Sequence, residues 1–164
     1  VQTCALPIST KQYEETGRKV VLAFAGDHAP SFVDHVADKT RAEGNDLQIL
    51  ERSTPFFIWA NYPLENIDAA TSTADSLNRM VMVMLAPTIA QQAGLPLTGY
   101  YKYLLAMKQQ TPVVTAANDY MKVDGTTGTY GEDESLDAWV KGYLALEYNN
   151  IGAHAKRVQS IFGQ

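Results

Sequence analysis

Val20-Val21-Leu22-Ala23-Phe24-Ala25-Gly26-Asp27-His28-Ala29-Pro30 is a run of six apolar residues that stops at a glycine, a carboxylate, an imidazole and a proline. An apolar run without alternation reads as a strand buried on both faces, the pattern of a parallel sheet covered by helices. Gly26 lets the chain turn at the end of that strand. In open α/β sheets ligands bind just beyond the carboxyl ends of the strands, so this reading delivers Asp27 and His28 to the place where such a fold keeps its site. A hard carboxylate oxygen beside an imidazole nitrogen suits a divalent cation such as zinc or manganese. A catalytic metal takes about three or four protein ligands, and the dipeptide supplies two. Taken alone, it reads more readily as an Asp-capped turn with a solvated histidine.

Outward from this stretch, Thr54-Pro55-Phe56-Phe57-Ile58-Trp59-Ala60-Asn61-Tyr62 is a second apolar segment, rich in aromatic residues, and is expected to be a strand with Trp59 in the core. Val20 to Ala25 and Pro55 to Ala60 are expected to be neighbours in one sheet with helices on its faces. Between them, Ser31 is placed to cap a short helix carrying Phe32, Val33 and Val36, the polar run from Asp38 to Asp46 reads as a loop, and Leu47-Gln48-Ile49-Leu50-Glu51 reads as a brief strand or lead-in. His35 falls within that short helix and reads as solvated. Ahead of the key strand, residues 9–19 read as the tail of a helix stopped at Gly17.

Asn66 to Asp75 is polar and small, a loop. Pro87 governs the apolar stretch that follows, because proline suits a helix's first turn but not its interior. An irregular or extended approach through Met80-Val81-Met82-Val83-Met84 is therefore expected, then a helix from near Ala86 that ends at Gly94 and Pro96. Tyr100 to Gln110 is amphipathic, with Tyr100, Tyr103, Leu104 and Met107 on the side expected to lean on the sheet. Val113-Val114 and the alternating segment Tyr120 to Tyr130 predict a short strand and a small β-hairpin. Gly125 and Gly128 sit in its turn, and without a strand-to-helix context or a following lysine they do not make a phosphate loop. Asp133 or Ser135 caps a last helix through Tyr148 whose buried stripe is Leu136, Trp139, Val140, Tyr143, Leu144 and Tyr148, and the tail from Ala153, which holds His154, is expected to fray.

In their order, these landmarks resemble the alkaline phosphatase and sulfatase superfamily, in its lipoteichoic acid synthase and phosphoglycerol transferase branch. Gly26-Asp27-His28-Ala29-Pro30 is similar to the metal-binding strand end of that branch, and Thr54 to Tyr62 to its next core strand. Leu85-Ala86-Pro87-Thr88-Ile89 with Ala93-Gly94-Leu95-Pro96 is similar to its late helix and glycine stop, and Tyr143 to Gly152 to its closing helix. The resemblance implies the C-terminal part of an α/β/α sandwich with a small β-hairpin decoration, spanning residues 9–164 and lacking the N-terminal part of the catalytic domain. It also implies a parent enzyme in which a metal-activated threonine, expected upstream of this chain, attacks a lipid headgroup phosphodiester and passes the headgroup to a polyol or glycan acceptor. Asp27 and His28 would hold the metal, manganese first, with magnesium or zinc as the other choices. The enzyme would be tethered to a bacterial membrane with its catalytic domain on the extracytoplasmic side. A sulfatase or phosphoester hydrolase of the same superfamily is the alternative within enzymes, and a noncatalytic fragment or binding module the alternative outside them. With its nucleophile upstream, the chain alone is expected to be inactive.

Val1-Gln2-Thr3-Cys4-Ala5-Leu6-Pro7-Ile8 has neither helical nor strand period and matches the translation of a common sequencing adapter, so it is read as a scar rather than as structure. It contains the single cysteine, which leaves no pair for a disulfide. With 46% hydrophobic and 19% charged residues over 164 positions, the chain has the composition of one globular unit with its own core. Its net charge of −5 and scattered Lys and Arg speak against a nucleic-acid partner, since phosphate backbones call for a basic patch. The longest apolar stretch, Met80 to Ala86, is far short of the roughly 20 residues of a membrane span.

Overall fold

The computed structural model describes residues 11–13, 15–28, 44–65, 79–152 and 156–163. It is a mixed α/β structure in which two small antiparallel sheets pack among helices. The elements, in chain order, are β1 (Val21–Ala25), α1 (Gly44–Glu51), β2 (Phe56–Ala60), a 3-10 turn (Met82–Met84), α2 (Leu85–Gln92), α3 (Gly99–Lys108), β3 (Val113–Val114), β4 (Asp119–Met121), β5 (Thr127–Thr129), α4 (Glu134–Ile151) and α5 (Gln159–Phe162). Ahead of β1, residues 11–13 and 15 are helical, and Gly17 at φ 65° closes that turn with the Arg18 N–H donating to Tyr13 O. This is the left-handed stop that glycine adopts without strain.

The two apolar segments do pair, with Val21 opposite Ala60 and Ala25 opposite Phe56, but they run antiparallel. The parallel sheet expected from the unbroken apolar run is therefore not what these strands form. The expectation of two covered faces also fails. Phe24 is 51% and Phe57 44% exposed, and the two rings stack at 5.5 Å between centroids. Directly opposed side chains share a face, so the aromatic residues shield one another where no helix does. Asn61 locks the far end of the pair, its carboxamide accepting from Val20 N and donating to Arg18 O.

Residues 44–51 form a helix, not the loop end and brief strand expected from Asp38 to Glu51. Tertiary packing overrides the weak local pattern here: Ile49, Val113 and Met121 make one buried cluster that seats α1 on the sheet β3-β4-β5. That sheet is the expected strand and hairpin, with Val113 opposite Met121 and Tyr120 opposite Gly128. It is part of the core rather than a decoration, and Thr111, fully buried, donates toward the carbonyls of Val113 and Met121 to tie its start.

The Met80 to Met84 approach is irregular and then 3-10, and α2 begins at Leu85 with Pro87 in its first turn, as Pro87 demands. Gly94 at φ 68° ends it. Met84, Met107 and Val140 join the 3-10 turn, α3 and α4 in a second cluster, and Tyr100, Leu104 and Phe162 join α3 to α5 in a third. Helix α3 thus leans on helices rather than on the strand pair. The tail is also better held than expected, since Phe162 is buried against Tyr100, although residues 153–155 with His154 lie outside the described residues. Asp133 caps α4 by accepting from Ser135 N and Leu136 N and pairs with Lys122 at 2.8 Å. The Lys122 hydrogen bond, then the Leu136 N–H, hold its carboxyl below the usual range. Its contribution to stability is therefore complete above the ordinary aspartate range and is lost as pH falls through the depressed value.

Gly142 is where α4 touches α3. A Cβ there would overlap the Tyr103 hydroxyl, which donates to Trp139 O at 2.7 Å. Gly142→Ala is expected to lose about 1 kcal/mol, the overpacking cost less the helix-propensity gain. In a Tyr103→Phe background, which removes the nearest obstructing atom but leaves the ring Cζ 2.9 Å from the added Cβ, the same change is expected to cost less. Urea denaturation of the four proteins of this cycle checks it, and purely additive losses would contradict the contact.

Candidate functional site

The strand pair sets the site by fixing the end of β1. Gly26 N donates to Pro55 O at 3.0 Å, and the Thr54 hydroxyl donates back to Gly26 O at 2.9 Å. A Cβ on Gly26 would come within 2.9 Å of Thr54 Cβ, so glycine is what allows this close approach. Asp27 and His28 leave the strand directly after this clamp. The His28 N–H donates to Asp27 Oδ1 at 2.9 Å, and His28 Nε2 lies 3.6 Å from Asp27 Oδ2. Both side chains are open to solvent, 79% exposed for His28 and 89% for Asp27. The backbone N–H of His28 first, then that of Asp27 itself, and then the imidazole charge hold the Asp27 carboxyl below its usual range. The carboxylate is thus ionised, as a metal ligand must be.

Beside this strand end lies a cleft of about 510 Å³. Ala25 lines it from β1, Asp27 from just past that strand's end, and Phe56 from β2. Ile49 and Leu50 of α1, Met80 and Met82 before α2, and Val113 and Val114 of β3 make its walls largely apolar. Arg52 and Arg79 line it as well. Asp27 thus borders a cleft, whereas His28 is not among its lining residues, and the strands that lead to it run antiparallel.

Of the residues singled out from sequence, Asp27 and His28 stand together. His35 and His154 lie outside the described residues, as does the Ser31-capped helix with Phe32, Val33 and Val36. Among the described residues, no group of three or more His, Cys, Asp or Glu side chains is arranged to hold a metal. Arg52 and Arg79 were missed. They lie 27 positions apart and belong to no motif, so only the folding of α1 and the Met80 approach onto a common cleft reveals them. The expected stripe of α4 is also revised at its end, where Leu144 and Tyr148 are exposed. No helix among the described residues is long and apolar enough to cross a membrane. No family model, curated protein or solved structure matches this chain.

Proposed function

We propose that this chain is the C-terminal portion of a metal-dependent transferase that moves phosphoglycerol, or a related headgroup, from a lipid phosphodiester to a polyol or glycan acceptor at the bacterial cell envelope. The observation that carries the reading is the pairing of an ionised carboxylate and an imidazole at the end of an apolar strand, beside a cleft with apolar walls. The order of the landmarks from Gly26 to Gly152 supports a likeness to the alkaline phosphatase type of α/β/α sandwich.

The donor set fits a metal in part. Bonds of about 2.1 Å place neighbouring donors of a tetrahedral site about 3.4 Å apart, close to the 3.6 Å between Asp27 Oδ2 and His28 Nε2. These two atoms would make one edge of the coordination shell, and a hard oxygen with one imidazole accepts manganese, magnesium or zinc. A bound cation supplies charge stabilisation to a reacting phosphate and a lowered pKa to an attacking hydroxyl. Asp27 and His28 hold it, the Gly26–Thr54 clamp orients them, and the cleft walls keep water from the apolar part of the substrate. The nucleophile, a threonine by resemblance, comes from sequence outside these 164 residues.

The reading has a direct consequence for the purified chain. With manganese and phosphatidylglycerol it is expected to give no turnover, since two metal ligands without a nucleophile cannot form the covalent intermediate that such transfer needs. Turnover that disappears in Asp27→Ala would place a nucleophile inside this chain and overturn the assignment. Recovery of the upstream reading frame separates the alternatives: a threonine after a strand supports the transferase, and a cysteine or serine in a sulfatase motif supports the hydrolase.

A further inference from the structure

Away from the cleft, the outer face of α4 leaves apolar surface open. Leu144, Tyr148 and Ile151 follow one another at the four- and three-residue steps that align side chains along a helix, and they are 56%, 67% and 74% exposed. Val158, also exposed, lies beside that line. Asn149 accepts from Val158 N at 3.1 Å and donates to Lys156 O at 3.0 Å, which folds the returning chain against the end of the helix. Of the nine large apolar side chains exposed among the described residues, four are therefore gathered at one end of one helix. Single exposed apolar residues are ordinary, whereas a contiguous patch with a polar rim marks a contact surface.

The charge around this patch is mainly of one sign. From Ala138 onward the sequence carries three Lys and Arg against one acidic side chain, in a chain whose net charge is −5. Lys141 stands one turn ahead of Leu144 on the same line, and Lys156 and Arg157 flank the far end, all three exposed. The acidic residue, Glu147, accepts from the Tyr100 hydroxyl and is thereby held on the side of α4 that meets α3. The Arg157 guanidinium is braced over the Phe162 ring at 5.1 Å. A second copy docked symmetrically on this face would set these cations against their own kind. The complementary partner is a surface that is apolar and anionic at once.

We infer that the outer face of α4 docks the folded chain on an anionic lipid bilayer, with Leu144, Tyr148 and Ile151 entering the interface and the three cations meeting the headgroup charge. An apolar stripe with basic flanks is the pattern by which a helix lies in a membrane surface without crossing it. Long cationic side chains run along apolar surface while their heads stay in the polar layer, and a tyrosine ring with its hydroxyl suits the same boundary. Each cation near an anionic surface adds an attraction that salt weakens. Docking of this kind needs neither the metal nor the cleft, and it holds for a chain without transferase activity.

Cosedimentation of the 164-residue chain with vesicles tests it, in EDTA so that no cation bridges Asp27 to a headgroup. Phosphatidylserine supplies the charge, so that binding is not that of the donor lipid proposed above. Equimolar phosphatidylserine and phosphatidylcholine vesicles are expected to bind the chain about 10-fold or more tighter than phosphatidylcholine alone, and less so as salt is raised. Leu144→Gln/Ile151→Gln is expected to lose on the order of 10-fold or more. Lys141→Gln/Lys156→Gln is expected to lose about as much on the anionic vesicles and little on phosphatidylcholine. Leu95→Gln, which alters an apolar side chain 57% exposed elsewhere, should change nothing. All these positions are exposed, so the variants should keep the parental Tm. Absence of binding, equal binding to the two vesicles, undiminished binding by either double variant, or an equal loss in Leu95→Gln overturns the docking face. So does a dimer, seen by velocity sedimentation without vesicles, that Leu144→Gln/Ile151→Gln abolishes, because the face then belongs to a second copy. Vesicle binding without turnover leaves the docking face standing whatever becomes of the transfer reaction.

Discussion

In the full-length transferase proposed above, Asp27→Ala and His28→Ala are each expected to lower turnover by about 100-fold or more and to weaken manganese binding, whereas His35→Ala and His154→Ala are expected to change neither appreciably. The expectation follows from position. Asp27 and His28 leave β1 directly after the Gly26–Thr54 clamp, so their donor atoms stand 3.6 Å apart with no loop to order. His35 and His154 have no such strand end in the sequence around them. Because the His28 backbone N–H, and then that of Asp27 itself, keep the Asp27 carboxyl below the usual range, Asp27 is expected to stay ionised at pH values where an ordinary aspartate begins to protonate. Metal lost on mild acidification would thus report another ligand, and only stronger acid would report Asp27. Manganese titration of the four variants, with turnover measured on the same preparations, decides the matter. Near-parental metal binding by His28→Ala, or its complete loss in His35→Ala, would remove the assignment.

Where a residue type acts through its own backbone or immediate neighbours, the chain could be read directly. Pro87 dictated both the irregular Met80 to Met84 approach and the start of α2, Gly94 its end, and Asp133 the cap of α4. The pairing of the two apolar strands was also legible. Their direction was not, because an unbroken apolar run says how much surface a strand buries and nothing about which way its partner runs. The covered face was misjudged for a related reason. Phe24 and Phe57 stack on one another in the open, and a pairwise contact of this kind leaves no mark in periodicity.

The site divides along the same line. Asp27 and His28 are adjacent in sequence, so their meeting was fixed before folding. Arg52 and Arg79 both line the cleft, and Arg52 reaches it because residues 44–51 form a helix seated on β3-β4-β5 through Ile49, Val113 and Met121. Sequence pattern read residues 47–51 as a brief strand or lead-in instead. A cleft whose walls come from α1, β2 and β3 is therefore invisible until long-range contacts exist.

Leu104→Ala is expected to destabilise the chain by about 3 kcal/mol, the usual cost of truncating a buried leucine. Leu104 is completely buried between Tyr100 and Phe162, with Val83, Tyr143 and Leu146 packed around them, so its loss leaves a void among large side chains that cannot collapse independently. For a chain of this size that corresponds to a fall in Tm on the order of 10 °C. Leu144→Ala supplies the contrast. Sequence periodicity placed Leu144 in the buried stripe of α4, but it is 56% exposed, and its truncation should stay within about 0.5 kcal/mol. Because Leu104 and Phe162 belong to one cluster, Leu104→Ala and Phe162→Ala should combine non-additively, whereas Leu104→Ala and Leu144→Ala should add. Thermal and urea unfolding of these single and double variants measures all of it. A Leu144→Ala loss as large as that of Leu104→Ala would mean that α4 buries its outer face against something, while simple additivity of Leu104→Ala and Phe162→Ala would mean that the C-terminal turn is not docked on α3.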